Sequence, residues 1–258
     1  MKAQDISDLK KAKQLLEKGS LAVTMSNWFG DITEKLIIKR LPVKWREALM
    51  DATILAIEKS WEFTVGMMPD MEKASIPDKN YKNYALLSGA IGGVTIPTLF
   101  AELPVTTVIM LRSVADIAKD EGEDFNDFDT KIACLEVFAL GSKETDTKEK
   151  TSYYATRKIL EQPLIESSKY IAKKGATGIG VPFLAQIFAK IAVRYQAALS
   201  TRIAASVVPV TGAICGAAIN IIFINYFQDK ARGHFIMRRL EKQYGQERVK
   251  QAYIQDIT

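Results

Sequence analysis

An all-α fold, a single multi-helix bundle around a central apolar, glycine-rich hairpin, is what this sequence predicts. Three observations carry the prediction. Long segments repeat apolar residues at i, i+3, i+4 and i+7, the spacing that lines one face of a helix. Sustained alternation of apolar and polar residues is missing, and no Asn-Gly or Asp-Gly pair marks a hairpin turn. Two long stretches carry no charge and contain Gly-xxx-Gly pairs, which lets helices pack closely at the centre of a bundle.

The first helical segment is predicted over Ile6–Ile38, where Leu9, Leu16, Val23, Ile32 and Leu36 recur on helical spacing, with a break at Gly19 or Gly30. Pro42 marks a boundary, and Val43–Met67 follows with Trp45, Leu49, Ala52, Leu55 and Ala56 on one side. Met71–Asn80 contains Pro77 and is expected to be a loop. The 19 uncharged residues of NYALLSGAIGGVTIPTLFA come next, then ELPVTTVIML before Arg112. Proline lacks the N–H and clashes with the preceding turn, so a short helix is expected at Ala85–Ile91 and a new one from Pro104 to about Lys119. An acidic loop, DEGEDFNDFD, leads into a helix at Thr130–Leu140 that ends at Gly141. Lys148–Lys174 is polar and amphipathic, and GATGIG at 175–180 interrupts it as a turn, since no strand precedes it to make a dinucleotide loop. Pro182–Val207 is the next helix, and the last long element runs from Gly212 to about Tyr244, apolar first and basic after. With no linker and no repeat, residues 1–258 are expected to form one domain.

Composition narrows the function classes. The chain has 258 residues, 35 Lys and Arg against 30 Asp and Glu, and a net charge of +5, with 48% apolar and 25% charged residues. These values exclude disorder, a collagen-like fibre and a polytopic membrane protein with most residues in lipid. The two cysteines, Cys134 and Cys215, lie in apolar helical contexts and are expected as buried free thiols in a reducing compartment. The N-terminal MKAQDISDLKKAKQLLEKGS is charged and amphipathic, without the apolar core of a signal peptide, which points to the cytoplasm. No HExxH, GxSxG or P-loop is present, no metal or cofactor is called for, and an enzyme is not the first expectation. A triad would have to use His234, the one histidine, which is expected to be an ordinary surface or partly buried side chain.

Charges embedded in apolar sequence are the candidate site residues. Glu102, Arg112 and Arg202 border or interrupt the uncharged runs, so Glu102 is expected to be buried and paired with Arg112 or Arg202. The pair is either structural or a ligand or proton site, and Glu102 is the weak candidate for an acid or base. Arg202 and Asp229 bracket 26 uncharged residues, long enough to span a bilayer but interrupted by Pro209 and Gly212. A buried hairpin, crossing through Gly89 and Gly93 in one arm and Gly212 and Gly216 in the other, is the first expectation for these stretches, with reversible or partial membrane insertion, then a stable span, as the alternatives. Directly after the second run come Lys230, Arg232, Arg238 and Arg239, either a solvated helix end or a surface for anionic headgroups. Basic residues are not interleaved with aromatics as a stacking platform, so nucleic acid is not expected as a partner.

The run YALLSGAIGGVTIPTLFAELPVTTVIMLRSVADIAKDEGEDF, then EVFALGS, then VVPVTGAICGAAINIIFINYFQDKARGHFIMRRL resembles the EcsC family of bacterial proteins. The likeness covers about residues 45–243, leaving 1–44 as an N-terminal helical extension. The family usually has Asp where this chain has Glu102, which keeps the charge. The resemblance implies a bacterial helical protein without established enzymatic activity, whose namesake is encoded with an ABC transporter linked to protein export. With the apolar hairpin, the basic cluster and the missing catalytic motifs, the expectation is a non-enzymatic helical accessory protein, peripheral at the inner face of the cell membrane and linked to ABC-transporter, protein-export or envelope machinery. Expected partners are therefore an anionic membrane surface or membrane transport proteins. A carrier or sensor of a lipid or apolar ligand, and an enzyme of unrecognised type using Glu102, are the alternatives.

Overall fold

The computed structural model describes residues 1–29, 43–67, 96–140, 152–174, 183–207 and 214–255, and among these every regular element is an α-helix. In chain order they are α1 (Ala3–Glu17), α2 (Leu21–Phe29), α3 (Val43–Met67), α4 (Ile96–Asp120), α5 (Phe128–Ala139), α6 (Ser152–Lys174), α7 (Leu184–Val207), α8 (Ile214–Tyr244) and α9 (Gln246–Ile254). No helix among the described residues is long and apolar enough to cross a membrane.

The short helix α5 explains the architecture. Its sequence FDTKIACLEVFA is apolar on almost every side, and a helix apolar all round must be surrounded. Residues Thr130 and Ile132–Ala139 are all buried, and α3, α4, α6, α7 and α8 all pack around α5. The main core continues from α5 into an aromatic stack of Phe138, Tyr195, Phe223 and Phe227, whose rings approach edge-on or tilted at 4.8–6.3 Å between centroids. Such offset geometries suit the ring quadrupoles. A second apolar cluster lies beneath α1 and α9, built on Leu9, Leu16, Tyr153, Met237, Leu240 and Tyr253.

Polar pairs across the core fix helix direction. Thr107 bonds Tyr195 and Glu102 meets Arg202, so α4 and α7 run antiparallel. Gln228 donates to Ser113 and Arg238 to Glu123, so α4 and α8 run side by side in the same direction.

Three sequence expectations need correction. The helix predicted to start at Pro104 begins at Ile96 and runs through Pro104. An interior proline costs about 3 kcal/mol, but the same helix buries Leu103, Met110, Leu111 and Val114, each 2% exposed or less, which outweighs it. The chain also adds α9 after Gly245, whose φ of +85° makes the sharp reversal that an L side chain resists. His234 is neither at the surface nor partly buried, being fully enclosed at 0% exposure. The expected helix at Ala85–Ile91, the Gly89, Gly93 and Gly212 positions and the 175–180 turn lie outside the described residues, as do the surroundings of Gly216 and Cys215. Cys134 is a buried free thiol, and burial raises its pKa well above the usual thiol range.

Candidate functional site

Glu102 stands nearly two turns inside the apolar beginning of α4, where Thr106, four residues on, donates to its Oε1 at 3.0 Å. Arg202, 3% exposed on α7, donates through Nη2 to the same oxygen at 3.3 Å and through Nε to Asn220 Oδ1 of α8 at 3.1 Å. Its guanidinium also lies 5.4 Å from the Phe223 ring centroid. Arg202 is therefore held from three sides, and it pins together the ends of three helices. Glu102 is only half-buried, not sealed as expected, and its partner is Arg202. Arg112, nearly three turns further along α4, does not join them, and its Nε is buried without a hydrogen-bond partner among the described residues. The geometry is a clamp, because Oε1 is already occupied by two donors.

The four cations after the apolar run of α8 do not form a common outward stripe. Lys230 is 1% exposed, and its Nζ donates to the carbonyls of Leu15, Leu16 and Lys18 at 3.2, 2.7 and 3.2 Å. It closes the C-terminal end of α1, where unsatisfied carbonyls and the helix dipole favour a cation. Arg238 forms a two-pronged pair with Glu123 at 2.9 and 3.1 Å. Arg239 reaches Glu121 and Asp8, each at 2.7 Å. Arg232 stays outermost, 3.8 Å from Asp229. The reading of these residues as one anion-contact face is thus corrected. Helical spacing aligned Arg232, Arg238 and Arg239, but acidic groups of α1 and of the turn after α4 hold Arg238 and Arg239, and carbonyls of α1 hold Lys230.

The structure instead assembles a titratable cluster that the sequence reading missed. Arg157 of α6 donates through Nη1 to both oxygens of Glu241 at 2.8 and 2.7 Å and to the Tyr153 hydroxyl at 3.3 Å. Guanidinium nitrogens only donate, so the Tyr153 oxygen accepts here and its own proton is free to turn to His234 Nδ1, 3.0 Å away. In that arrangement the neutral imidazole carries its proton on Nε2, which faces Glu136 Oε2 at 3.6 Å, too far for a hydrogen bond. Burial, with Arg157 and Arg238 nearby, holds the His234 pKa well below its ordinary value. Burial also raises the carboxyl of Glu136, a pull that Arg157 and Arg238 only partly offset. An open groove of about 810 Å³ lies over Glu136, Arg157 and Arg238, walled by α5, α6, α8 and α9.

Signals for this cluster existed in the sequence. His234, Arg238 and Glu241 are spaced four and three apart, so they share one face of α8, and Glu136 is the single charge in IACLEVFAL. Among the described residues no group of His, Cys, Asp and Glu is arranged to hold a metal ion. A model described as the EcsC protein family matches residues 4–240. No curated protein and no solved structure matches the chain.

Proposed function

The chain belongs to the EcsC protein family, and on that premise we propose that it is a non-enzymatic, peripherally membrane-associated accessory protein serving ABC-transporter, export or envelope machinery. One observation supports this reading best, the separation of charge along α4, α7 and α8. Residues 96–111 of α4 carry one charge, Glu102, residues 195–207 of α7 carry one, Arg202, and residues 214–228 of α8 carry none. These three stretches converge where Glu102, Arg202 and Asn220 meet, so the two charges there neutralise each other. Val105 stands 61% exposed within that end. The second half of α8, by contrast, holds seven charged residues between Asp229 and Tyr244.

An apolar end whose few charges are mutually satisfied can enter the headgroup and acyl boundary of a bilayer without carrying a bare charge into it. The cations of α8 are engaged with internal carboxylates and carbonyls. Attraction to anionic lipid is then secondary, and contact rests on apolar area. Co-sedimentation of the full chain with phosphatidylcholine/phosphatidylglycerol vesicles tests this. Binding should persist when ionic strength is raised, because apolar contact is not screened, and Val105→Asp should weaken it. Failure to pellet at any salt, or binding lost on adding salt, would remove the apolar docking end.

A further inference from the structure

We infer that the groove over Glu136 is a binding site for a soluble phosphate-bearing anion, which meets the outer guanidinium edges of Arg157 and Arg238, the rim lysines Lys158 and Lys250, and Glu136 as a protonated donor. The site itself does not rest on the membrane reading above; only the choice of a soluble over a lipid-borne anion draws on it.

Four observations lead to it. First, the groove floor offers donors. Arg157 uses only Nη1 among the described residues, and Arg238 uses only Nε and Nη2, leaving Nε and Nη2 of the former and Nη1 of the latter uncommitted. Both residues line the groove. Guanidinium edges that are already oriented by an ion pair are rigid receptors for tetrahedral oxyanions.

Second, Glu136 is 5% exposed and borders the same space, and no described donor lies within hydrogen-bond distance of its carboxyl. The chain Arg157 to Tyr153 to His234 ends on an Nε2 proton that stops 3.6 Å short of it. A buried ring nitrogen left without a partner is uncommon in folded proteins and marks a place where a group can move or arrive. Drawing Glu136 toward a ligand's charge, or toward His234, changes the state of both.

Third, the opposing charges sit differently. Asp129, Glu161 and Glu247 also line the groove, but all three are exposed on its rim, where water and salt screen them. The guanidiniums at the floor act through a less polar medium. Fourth, the groove is remote from the apolar end. Asn220 and Arg238 are 18 residues apart on one helix, about 27 Å of rise. A headgroup beneath the apolar end does not reach it, which favours a soluble ester over a lipid.

The charged and titratable groups acting on Glu136 are His234, Arg238 and Glu241 of α8, Tyr153 and Arg157 of α6, and Asp129 and Cys134 of its own helix. An anion placed beside Glu136 favours its protonated form, so binding takes up a proton and affinity falls as pH rises, by up to tenfold per pH unit.

Calorimetric titration of the full chain tests this with inorganic sulfate, whose charge is constant over the range, alongside inorganic phosphate and glycerol 3-phosphate. In buffers of differing ionisation enthalpy, saturable binding with proton uptake is expected. Lys158→Gln with Lys250→Gln, both at solvent-accessible rim positions, should weaken binding about fivefold. Glu136→Gln, which mimics the protonated carboxyl, should bind without proton uptake and without the pH dependence. Should that variant fail to fold, wild-type proton uptake and the lysine pair decide. No saturation by any of the three anions, unaltered affinity in the lysine variant, or wild-type binding without proton uptake would overturn the site. Displacement of sulfate by phosphatidate vesicles but not by glycerol 3-phosphate would overturn the soluble source.

Discussion

Lys230 shows how far local chemistry departs from sequence expectation. Its place after an apolar run marks it as a surface cation, yet its ammonium closes the end of α1 on three carbonyls. Replacing it with Met keeps the stem and removes every donor, leaving those carbonyls unsatisfied. Lys230→Met should cost about 3 kcal/mol in urea unfolding, and an unchanged midpoint would show that α1 holds without it. Glu102→Gln should cost about 2–4 kcal/mol, because buried Arg202 loses its counter-charge while keeping Asn220. Glu123 supplies a pH-dependent counterpart. Burial alone would raise its pKa, but bonds from Arg238, Lys242 and Thr130 overcome that and hold it at about 2, down from 4.5. A depressed carboxylate stabilises the fold above its unfolded pKa and loses that contribution as pH falls through the folded one. About 3 kcal/mol should therefore disappear between about pH 4.5 and 2. In Glu123→Gln, stability measured across that window should be lower at neutral pH and flatter toward acid.

Helix α1 illustrates how elements dock. Gly233 of α8 faces it so closely that a Cβ there would come within 2.7 Å of Leu16 Cγ and 3.1 Å of the Ala12 carbonyl. Gly233→Ala should push the two helices apart and cost about 1–3 kcal/mol, seen as a lower melting temperature. The limits of α3 and the apolar-then-basic course of α8 were legible, because long periodic segments with clear breakers leave few alternatives. Pro104 misled, since a breaker rule weighs backbone geometry alone and burial of the surrounding face decided the matter. The pairing of Glu102 with a basic residue could be foreseen from the cost of burying a lone charge, but the choice of Arg202 over Arg112 required the antiparallel course of α4 and α7. The relay from Arg157 through Tyr153 and His234 to Glu136 draws on three helices, so no single stretch of sequence displays it.

Along α4, α7 and α8, uncharged stretches and charged ones are set apart. Arg202 and Glu102 close the apolar end, while Glu123, Arg238, Arg239, Asp8 and Glu241 interlock at the other. Burial of uncharged faces builds the one, and paired carboxylates and guanidiniums build the other. On the proposed reading, membrane contact falls to the uncharged end of these helices, and the groove over Glu136 faces water. Hydrogen exchange of the full chain, with and without phosphatidylcholine/phosphatidylglycerol vesicles, tests that assignment most directly. Vesicles should slow exchange in residues 96–111, 195–207 and 214–228 and leave residues 229–255 unchanged. Protection confined to 229–255, or none anywhere, would contradict it.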